Sequence, residues 1–395
     1  MKNKRILISG AGIAGLTLAY WLKQAGFTPA LIEKYPALRT EGYKLDIRGT
    51  ALDVIQKMGV YPSVFESRTR IRESIFVDQK GRQITQTDPD LCGARVEGDL
   101  EIVRGDLCEI LFDRIGNTEC LFGDSIVNLL DQEDGVRVDF KNNPSRMFDL
   151  VVKADGLHSK VRLLSFGDES QFLRKLGLYV SFYSIPNFMN LDCTEIEFHR
   201  PRQFAIAYCP QKGDAKAGFA FSSNPPADLD LRDPVQQKQF LQNAFRDAGW
   251  EIPRILSFMK ESPDFYFDCM AQVQMPRWTK GRIALVGDAG YAVSPVAGQG
   301  TSVALIGAYV LADELKKAQG DYIAAFERYE MRLKEYVRKN QELAKMSTAL
   351  MEGDGASWLT SLSLFLGRHL PTSLIRLFKK WGQRQTAKAA RAIAL

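Results

Sequence analysis

The chain has 395 residues, of which 45% are apolar and 25% are charged, so it can bury a substantial core and is more consistent with two domains than with one. No apolar run approaches the ~18 to 20 residues of a membrane span. Six cysteines without a CxxC pair and three scattered histidines disfavour a metal site or a disulfide framework, and favour a reducing cytoplasm. The net charge of +5 comes from a basic segment after Asp354, while the remainder carries about −2, so no nucleic-acid partner is expected.

The first informative pattern is an apolar run over residues 5–9 that ends in Gly10, Gly12 and Gly15 and continues with helical spacing. Gly10 permits a sharp turn, Gly12 lets the backbone approach a pyrophosphate, and Gly15 allows helix and strand to pack closely. The helix N-terminus then offers unpaired N–H groups to an anion. A second apolar run ends in Glu33, about 20 residues after the middle glycine, where a carboxylate binds an adenosine ribose. The pattern predicts a dinucleotide site and leaves both NAD and FAD open.

Two simpler interpretations compete with this one. Lys2, Lys4 and Arg5 before an apolar stretch could begin a secretory signal, and three glycines could form an ordinary turn. No small-residue cleavage site precedes Lys23, however, and a signal peptide has no reason to be followed by a strand that ends in an acid. The combination therefore favours the dinucleotide site.

Charged residues recur after the next predicted strands. Asp46 and Arg48 lie in a loop before a helix over residues 50–58, where they contact a cofactor or are ordinary solvated charges, and we favour the cofactor. A hairpin is predicted over residues 75–84. Arg104 stands between a strand and a helix, where its guanidinium reaches a cofactor or pairs with a carboxylate. The sequence does not decide between these two roles of Arg104.

Two further loops follow buried strands. Asp155-Gly156 is by default a turn, and its alternative interpretation is a second loop over the same dinucleotide. Another strand closes on Gly287-Asp288, and the loop before the next apolar helix holds Pro295, Gly298 and Gly300. The repeated strand-to-loop junctions favour one shared nucleotide site.

Between residues 177 and 267 the pattern changes to antiparallel strands rich in aromatic side chains. One face of this sheet must pack on a helix predicted over residues 235–247, and the other face is suited to cover a flat, apolar substrate. The alternation along the strands does not show which face is which.

The C-terminal part is predicted to be helical. A helix over residues 321–350 would span ~45 Å, enough to bridge two domains, and another is predicted over residues 357–366. Between Leu374 and Arg384, apolar residues lie on one face and basic residues on the other. Such a helix lies on a membrane or covers the boundary between two domains, and we favour this capping role over membrane contact.

These loops together resemble the three fingerprints of the class A flavoprotein monooxygenases of the aromatic hydroxylase type. The residues concerned are the three N-terminal glycines with Glu33, Asp155-Gly156 with Ser159 and Arg162, and Gly287-Asp288 with the stretch from Pro295 to Gly300. Within that class the chain most resembles the tetracycline destructases, on residues 278–291, on residues 45–49 and on a helical tail. The resemblance covers residues 1 to about 315.

The resemblance implies an α/β fold with a Rossmann-type FAD-binding domain, an inserted antiparallel β-sheet substrate domain and C-terminal helices. The FAD-binding domain would comprise residues 1–75, 96–176 and 268–318, the substrate domain residues 76–95 and 177–267, the bridging helix residues 319–350 and the capping helices residues 351–395. FAD would be bound by Gly10, Gly12, Gly15, Glu33, Lys34, Asp46, Arg48, Arg104, Asp155, Gly287, Asp288, Pro295, Gly298 and Gly300. For the substrate the resemblance points to Phe182, Gln203 and Ala220.

The resemblance also implies a reaction. NADPH or NADH, a transient reductant for which the chain has no second GxGxxG motif, reduces FAD. O2 then forms a C4a-hydroperoxyflavin that hydroxylates and inactivates a tetracycline-like polycyclic substrate. No catalytic side chain and no histidine base is required, because the flavin carries the chemistry. Two alternatives stay open: a monooxygenase of the same fold for another aromatic or polyketide substrate, and a flavin-binding interaction protein without turnover. We expect a cytoplasmic monomer.

Overall fold

A computed structural model describes residues 2–87, 98–211, 213–225, 229–352 and 384–395, with the backbone alone described over 346–352. The strands are β1 (Arg5–Ser9), β2 (Thr28–Glu33), β3 (Lys44–Ile47), β4 (Glu73–Val77), β5 (Gln83–Thr87), β6 (Leu100–Val103), β7 (Glu119–Phe122), β8 (Ile126–Gln132), β9 (Gly135–Phe140), β10 (Arg146–Phe148), β11 (Leu150–Lys153), β12 (Leu173–Ile185), β13 (Thr194–Arg200), β14 (Gln203–Tyr208), β15 (Ala215–Ser222), β16 (Tyr266–Val273), β17 (Thr279–Lys280) and β18 (Ile283–Leu285). The helices are α1 (Ile13–Gln24), α2 (Thr50–Lys57), α3 (Tyr61–Glu66), α4 (Arg104–Ile115), α5 (Lys160–Phe166), α6 (Pro234–Ala244), α7 (Ile252–Phe258), α8 (Asp288–Tyr291), α9 (Gly300–Lys317) and α10 (Tyr322–Glu352), and residues 384–390 are also helical. None of the described helices is long and apolar enough to cross a bilayer.

A six-stranded sheet has the order β17-β18-β11-β1-β2-β7 and combines strands from the first 153 residues with two strands from residues 279–285. β1 pairs in parallel with β2 and β11, and β11 pairs in parallel with β18. Ile6 and Ile8 of β1 pack in one core with α1 and α9, while Leu7 packs in another core with the small sheet β10-β9-β8. The carboxyl ends of parallel strands lie at the same edge of a sheet, so the loops after β1, β2, β11 and β18 meet there.

A second, seven-stranded sheet has the order β16-β12-β15-β14-β13-β4-β5. β12 pairs antiparallel with both β15 and β16, and its side chains alternate between two environments. Tyr179, with Phe219 and Phe221 of β15, is buried in a core that includes residues of α6 and α7. Val180 and Phe182 face the opposite way and line a cavity. The structure thereby assigns the two faces that the sequence pattern left open.

The structure confirms the predicted mixed α/β fold, including the β4–β5 hairpin, the helix after Gly300 and the long C-terminal helix. The helices predicted over residues 357–366 and 374–384 lie outside the described residues apart from the last position. The division into domains stays a prediction, and β16 crosses the boundary placed at residue 268, since it pairs with β12 on both sides of that position. Residues 88–95 of the predicted substrate domain also lie outside the described residues.

Candidate functional site

A cavity of about 600 Å³ lies where the loops at the carboxyl edge of the first sheet face the second sheet. Most of the residues predicted to bind cofactor or substrate line it: Gly10, Gly12, Glu33, Lys34, Asp46, Arg104, Asp155, Phe182, Asp288, Pro295, Gly298 and Gly300. The others do not border this cavity, namely Gly15, Arg48, Gln203, Ala220 and Gly287. The volume is within the range of ligand and cofactor sites.

The glycines of the first loop differ in what surrounds them. At Gly10, where φ is +106°, a Cβ would lie 2.5 Å from the carbonyl oxygen of Ala154, and at Gly15 a Cβ would lie 2.0 Å from the carbonyl oxygen of Gly10. Gly10 and Gly15 therefore allow close backbone packing. At Gly12 the nearest atom to a Cβ would be the Arg104 Nη2, 4.0 Å away. Gly12 thus keeps open a space that borders the cavity.

The Glu33 carboxylate lies at the end of β2, beside the glycine loop. It accepts hydrogen bonds from the backbone N–H groups of Ala11 (2.9 Å) and Tyr35 (3.1 Å). These two bonds fix the carboxylate at the edge of the cavity, where the sequence predicted a partner for a ribose.

The loop after β11 is held by a buried arginine. Arg162 is fully buried, and its guanidinium donates to the carbonyl oxygens of Leu157 (2.7 Å) and Ala289 (2.9 Å) and to the Glu169 carboxylate (3.2 Å). It thereby links the Asp155 loop to α8. Burial raises the pKa of Asp155, whose Oδ1 is buried at the cavity without a hydrogen-bond partner among the residues that the structure describes. An unpaired buried acceptor of this kind indicates a missing donor.

Asp288 begins α8, and its side chain is exposed to the cavity. Desolvation by the surrounding cavity walls, and secondarily the nearby charge of Asp268, raise the pKa of Asp288 to about 6. Gly287 lies behind it, where a Cβ would be 3.0 Å from the Cβ of Ala14 in α1. Gly287 therefore serves packing between the loop and α1, and Asp288 is the member of the pair that faces the cavity.

This raised pKa predicts a pH-dependent effect of Asp288→Asn on the apoprotein. Because the folded state holds the Asp288 proton more tightly than the unfolded state, this group stabilises the fold at low pH and loses that contribution as the pH rises through about 6. Asparagine has no such dependence. We therefore expect the Tm of Asp288→Asn, relative to wild type, to rise between pH 4.5 and 6.5 and then level off.

Asp139 provides the control for this titration. Hydrogen bonds, chiefly from Ser145, lower the pKa of Asp139, so it titrates below this pH window. Asp139→Asn should show a constant Tm difference from wild type across the same range. Parallel Tm profiles for wild type and Asp288→Asn would contradict the assignment.

Arg48 and Arg104 occupy different positions around the cavity. Arg48 is 3% exposed, and its guanidinium pairs with Asp46 at 2.7 Å and lies behind Gly298, where a Cβ would be 3.3 Å from its Nη2. Arg104 lines the cavity and donates at 3.4 Å to the carbonyl oxygens of residues 39 and 41. The structure thus places Asp46 and Arg104 at the cavity and Arg48 in the layer that supports it.

The wall formed by the second sheet is aromatic. Tyr43 stacks on Phe182 with ring centroids 4.4 Å apart and lies 5.8 Å from the ring of Tyr266. Ala220 is on the same side of the sheet, within a small apolar cluster that borders Phe182. Gln203 is on the opposite side, where its Nε2 donates to the carbonyl oxygen of Ala244 in α6. The structure therefore does not bring Gln203 to this cavity.

Several residues at the cavity were not found from the sequence. His158 hydrogen-bonds with Asp268 at 3.0 Å, and Asp268 accepts from the Tyr266 hydroxyl at 3.3 Å. Lys216 pairs with Asp264 at 3.0 Å; burial opposes ionisation of this carboxyl, but hydrogen bonds from Ser184 and others lower its pKa to about 2. The only sequence signal for this group was the position of His158 directly after the Asp155-Gly156 loop.

The residues present fit a dinucleotide such as FAD. The N-termini of α1 and α9 both border the cavity, and neither helix has a side chain that caps its first N–H groups. Such helix ends favour phosphate or other negative charge. Within the described part of the chain, Asp155 Oδ1 and the Ser294 hydroxyl have no hydrogen-bond partner, and both residues line the cavity. The open space at Gly12 completes a cradle for a pyrophosphate.

Comparison with known proteins agrees with this geometry. Residues 3–345 match the FAD binding domain family. A flavin-dependent monooxygenase of Legionella longbeachae serogroup 1 (strain NSW150) is 44% identical over 342 residues, which is 86% of this chain and 88% of that protein.

Two crystal structures of tetracycline destructases are similar over nearly the whole chain. Tet(51) is 36% identical with a TM-score of 0.86 and covers 99% of both chains. Tet(55) is 40% identical with a TM-score of 0.85, covering 100% of this chain and 98% of its own.

Proposed function

Because the chain belongs to the FAD binding domain family and is a flavin-dependent monooxygenase, we propose that it uses NAD(P)H and O2 to hydroxylate and inactivate tetracycline antibiotics. We base the proposed substrate on the similarity to two tetracycline destructases, which are 36% and 40% identical to this chain over at least 99% of its length. At this identity and coverage the similarity includes the second sheet as well as the flavin-binding half.

We propose that FAD is held by the loops that meet at the cavity. Gly12 and the N-terminus of α1 would receive the pyrophosphate, Glu33 the adenosine ribose and Asp288 the ribityl chain. Gly298 and Gly300, at the N-terminus of α9, would place N–H groups and the positive helix end at the flavin ring. When bound, FAD supplies the redox and oxygen-transfer chemistry. Around FAD, the residues of this chain would bind and orient the substrate and exclude water.

The substrate would be bound against the aromatic wall. Tyr43, Phe182 and Tyr266 offer ring faces to a flat polycyclic molecule. The Tyr266 hydroxyl donates to Asp268, which also hydrogen-bonds with His158, so this group would offer the substrate a polar contact beside the rings. NADPH or NADH would visit the site transiently, because the sequence holds no second GxGxxG.

The test is NADPH oxidation by FAD-loaded protein in air, with and without tetracycline. We expect tetracycline to stimulate oxidation and to gain the mass of one oxygen, with its absorbance changing in parallel. Catalase in a matched reaction separates hydroxylation from release of hydrogen peroxide. NADPH oxidation that leaves the antibiotic unchanged would show another substrate, and bound FAD without any stimulated oxidation would favour a flavin-binding protein without turnover.

Two substitutions in the same sheet test which of its two sides contacts the substrate. Phe182→Ala removes a ring from the cavity, and we expect the KM for tetracycline to rise roughly tenfold with more peroxide released per NADPH. Gln203→Ala, on the opposite side of the sheet, should leave the KM unchanged. Steady-state kinetics on both variants checks this, and equal effects of the two changes would contradict the assigned wall.

We also propose that the protein acts as a monomer in the cytoplasm. Six cysteines without a CxxC pair support a reducing compartment. Size-exclusion chromatography with light scattering tests the oligomeric state, and a mass of twice 44.4 kDa would overturn it.

A further inference from the structure

Residues 384–395 are bound to the flavin-binding half of the fold. Ala389 and Ala390 are only 4% and 3% exposed. The Asn340 side chain of α10 donates to the carbonyl oxygen of Ala389 at 3.3 Å, and the Thr50 hydroxyl donates to that of Ile393 at 3.2 Å. This segment, here called the terminal segment, therefore joins α10 to the start of α2.

The closest packing of the terminal segment is against Gly49. Gly49 has a φ of +54°, and a Cβ there would lie 2.7 Å from the carbonyl oxygen of Ala390 and 2.8 Å from its Cβ. Only a residue without a side chain permits this approach of two backbones. Arg332 of α10 adds a bond to the Ala394 carbonyl oxygen at 3.4 Å.

Gly49 directly follows Arg48, which supports the cavity. The backbone N–H of Arg48 donates to the Ser302 hydroxyl in α9 at 2.9 Å, and its guanidinium pairs with Asp46 at 2.7 Å. A Cβ added at Gly298, which lines the cavity, would lie 3.3 Å from the Nη2 of the same guanidinium, so Arg48 is the close neighbour of that glycine. The terminal segment, Gly49, Arg48 and Gly298 are thus successive neighbours.

A second route reaches the same loop through α10. Asn340, which binds Ala389, is fully buried in that helix, and α10 packs against the 3₁₀ turn Pro295–Ala297. Both routes end on the loop of residues 295–298, which borders the cavity at Pro295 and Gly298.

We propose that the terminal segment is a positioning element of the FAD site: its docking on Gly49, Thr50 and Asn340 holds Arg48 and the 295–298 loop in the arrangement that binds FAD. FAD binding and docking of the segment are then coupled, so each strengthens the other by the same factor. The proposal does not depend on which substrate the enzyme oxidises.

The first experiment compares the full chain with a chain that ends at residue 383. We expect truncation to raise the Kd for FAD at least roughly tenfold and to shift the absorbance bands of the bound flavin. A synthetic peptide of residues 384–395, added in excess, should restore both the Kd and the spectrum. The Kd is measured by quenching of FAD fluorescence at 10 °C, with the Tm of each apoprotein recorded alongside.

The second experiment tests the route through Gly49 and Thr50. Gly49→Ala adds a methyl group against Ala390, so it should weaken FAD binding more in the full chain than in the truncated chain, where only the strain at φ +54° remains. In the full chain, Thr50→Val should weaken FAD binding several-fold, and Thr50→Ser should restore it because the hydroxyl is kept.

The outcomes separate a positioning role from a merely structural one. Equal Kd values for the full and truncated chains overturn the proposal, as do equal effects of Gly49→Ala in both backgrounds. If truncation lowers the Tm of the apoprotein while the Kd and flavin spectrum stay unchanged, the segment only stabilises the fold, and the proposal fails. If the truncated chain does not fold, the Thr50→Val and Thr50→Ser pair decides, and equal Kd values for these two variants overturn it.

Discussion

Gly12→Ala is expected to leave the apoprotein folded while weakening FAD binding. The added methyl group meets no atom of the described residues closer than 4.0 Å, so the free protein has room for it. It would occupy space at the cavity that the pyrophosphate needs, and overpacking of this kind costs about 1–3 kcal/mol, or roughly 5- to 150-fold in Kd. Titration of the apoprotein with FAD, followed by fluorescence quenching, measures the change.

Gly15→Ala is the matched control, because it adds the same methyl group three residues away. Here the group would lie 2.0 Å from the carbonyl oxygen of Gly10, an atom of the backbone that cannot move without displacing β1. We expect the apoprotein itself to lose at least about 3 kcal/mol of stability. If Gly12→Ala lowered the apoprotein's Tm as much as Gly15→Ala, the open cradle at Gly12 would be refuted.

Arg162→Met is expected to destabilise the apoprotein by about 3–5 kcal/mol, the cost of removing one partner from a buried ionic group. The guanidinium is fully buried, and its loss removes the donor to the carbonyl oxygens of Leu157 and Ala289 and one of the two partners of the Glu169 carboxylate, which keeps His158. Because Leu157 belongs to the Asp155 loop and Ala289 to α8, FAD affinity should fall with stability. Urea unfolding of the apoprotein gives the free energy of unfolding.

Arg146→Met tests whether the position of the arginine matters or only its ion pair. Arg146 makes a bidentate pair with Glu119 at 2.8 and 2.9 Å, but both side chains are substantially exposed. Exposed pairs contribute only about 0–1 kcal/mol, so this variant should unfold near the wild-type urea concentration. Similar unfolding midpoints for the two methionine variants would show that Arg162 is not the link between the loops.

The flavin-binding half was predictable because its signals are local and spaced by backbone constraints. Gly15 is required by a contact within one strand-turn-helix unit, Gly10 by its positive φ of +106° in the same turn, and Glu33 ends the adjacent strand. The meeting of these loops with Asp155 and Asp288 follows from the rule that parallel strands end at a common edge. Each of these predictions needed only residues that are close in sequence, or the rule that parallel strands end at a common edge of the sheet.

The substrate side was less predictable because it depends on register. Gln203 pairs with Phe221, whereas Ala220 pairs with Phe204, so the two predicted residues point to opposite sides of the sheet. A shift of one residue would reverse this, and the aromatic pattern alone does not set the register. Tyr43 and Tyr266 reach Phe182 from segments distant in the chain, which only the folded sheet brings together. Similarly, Arg48 and Arg104 carry the same charge in similar loops, and only burial distinguishes the supporting residue from the lining one.

The alternation along β12 has a consequence for how such enzymes diversify. Tyr179 is buried in the core shared with α6, whereas its neighbours Val180 and Phe182 border the cavity. Substitutions at Val180 and Phe182 therefore change the shape presented to a ligand without entering that core. A lineage built on this strand is able to exchange one ligand for another by single-nucleotide changes while inheriting an intact fold.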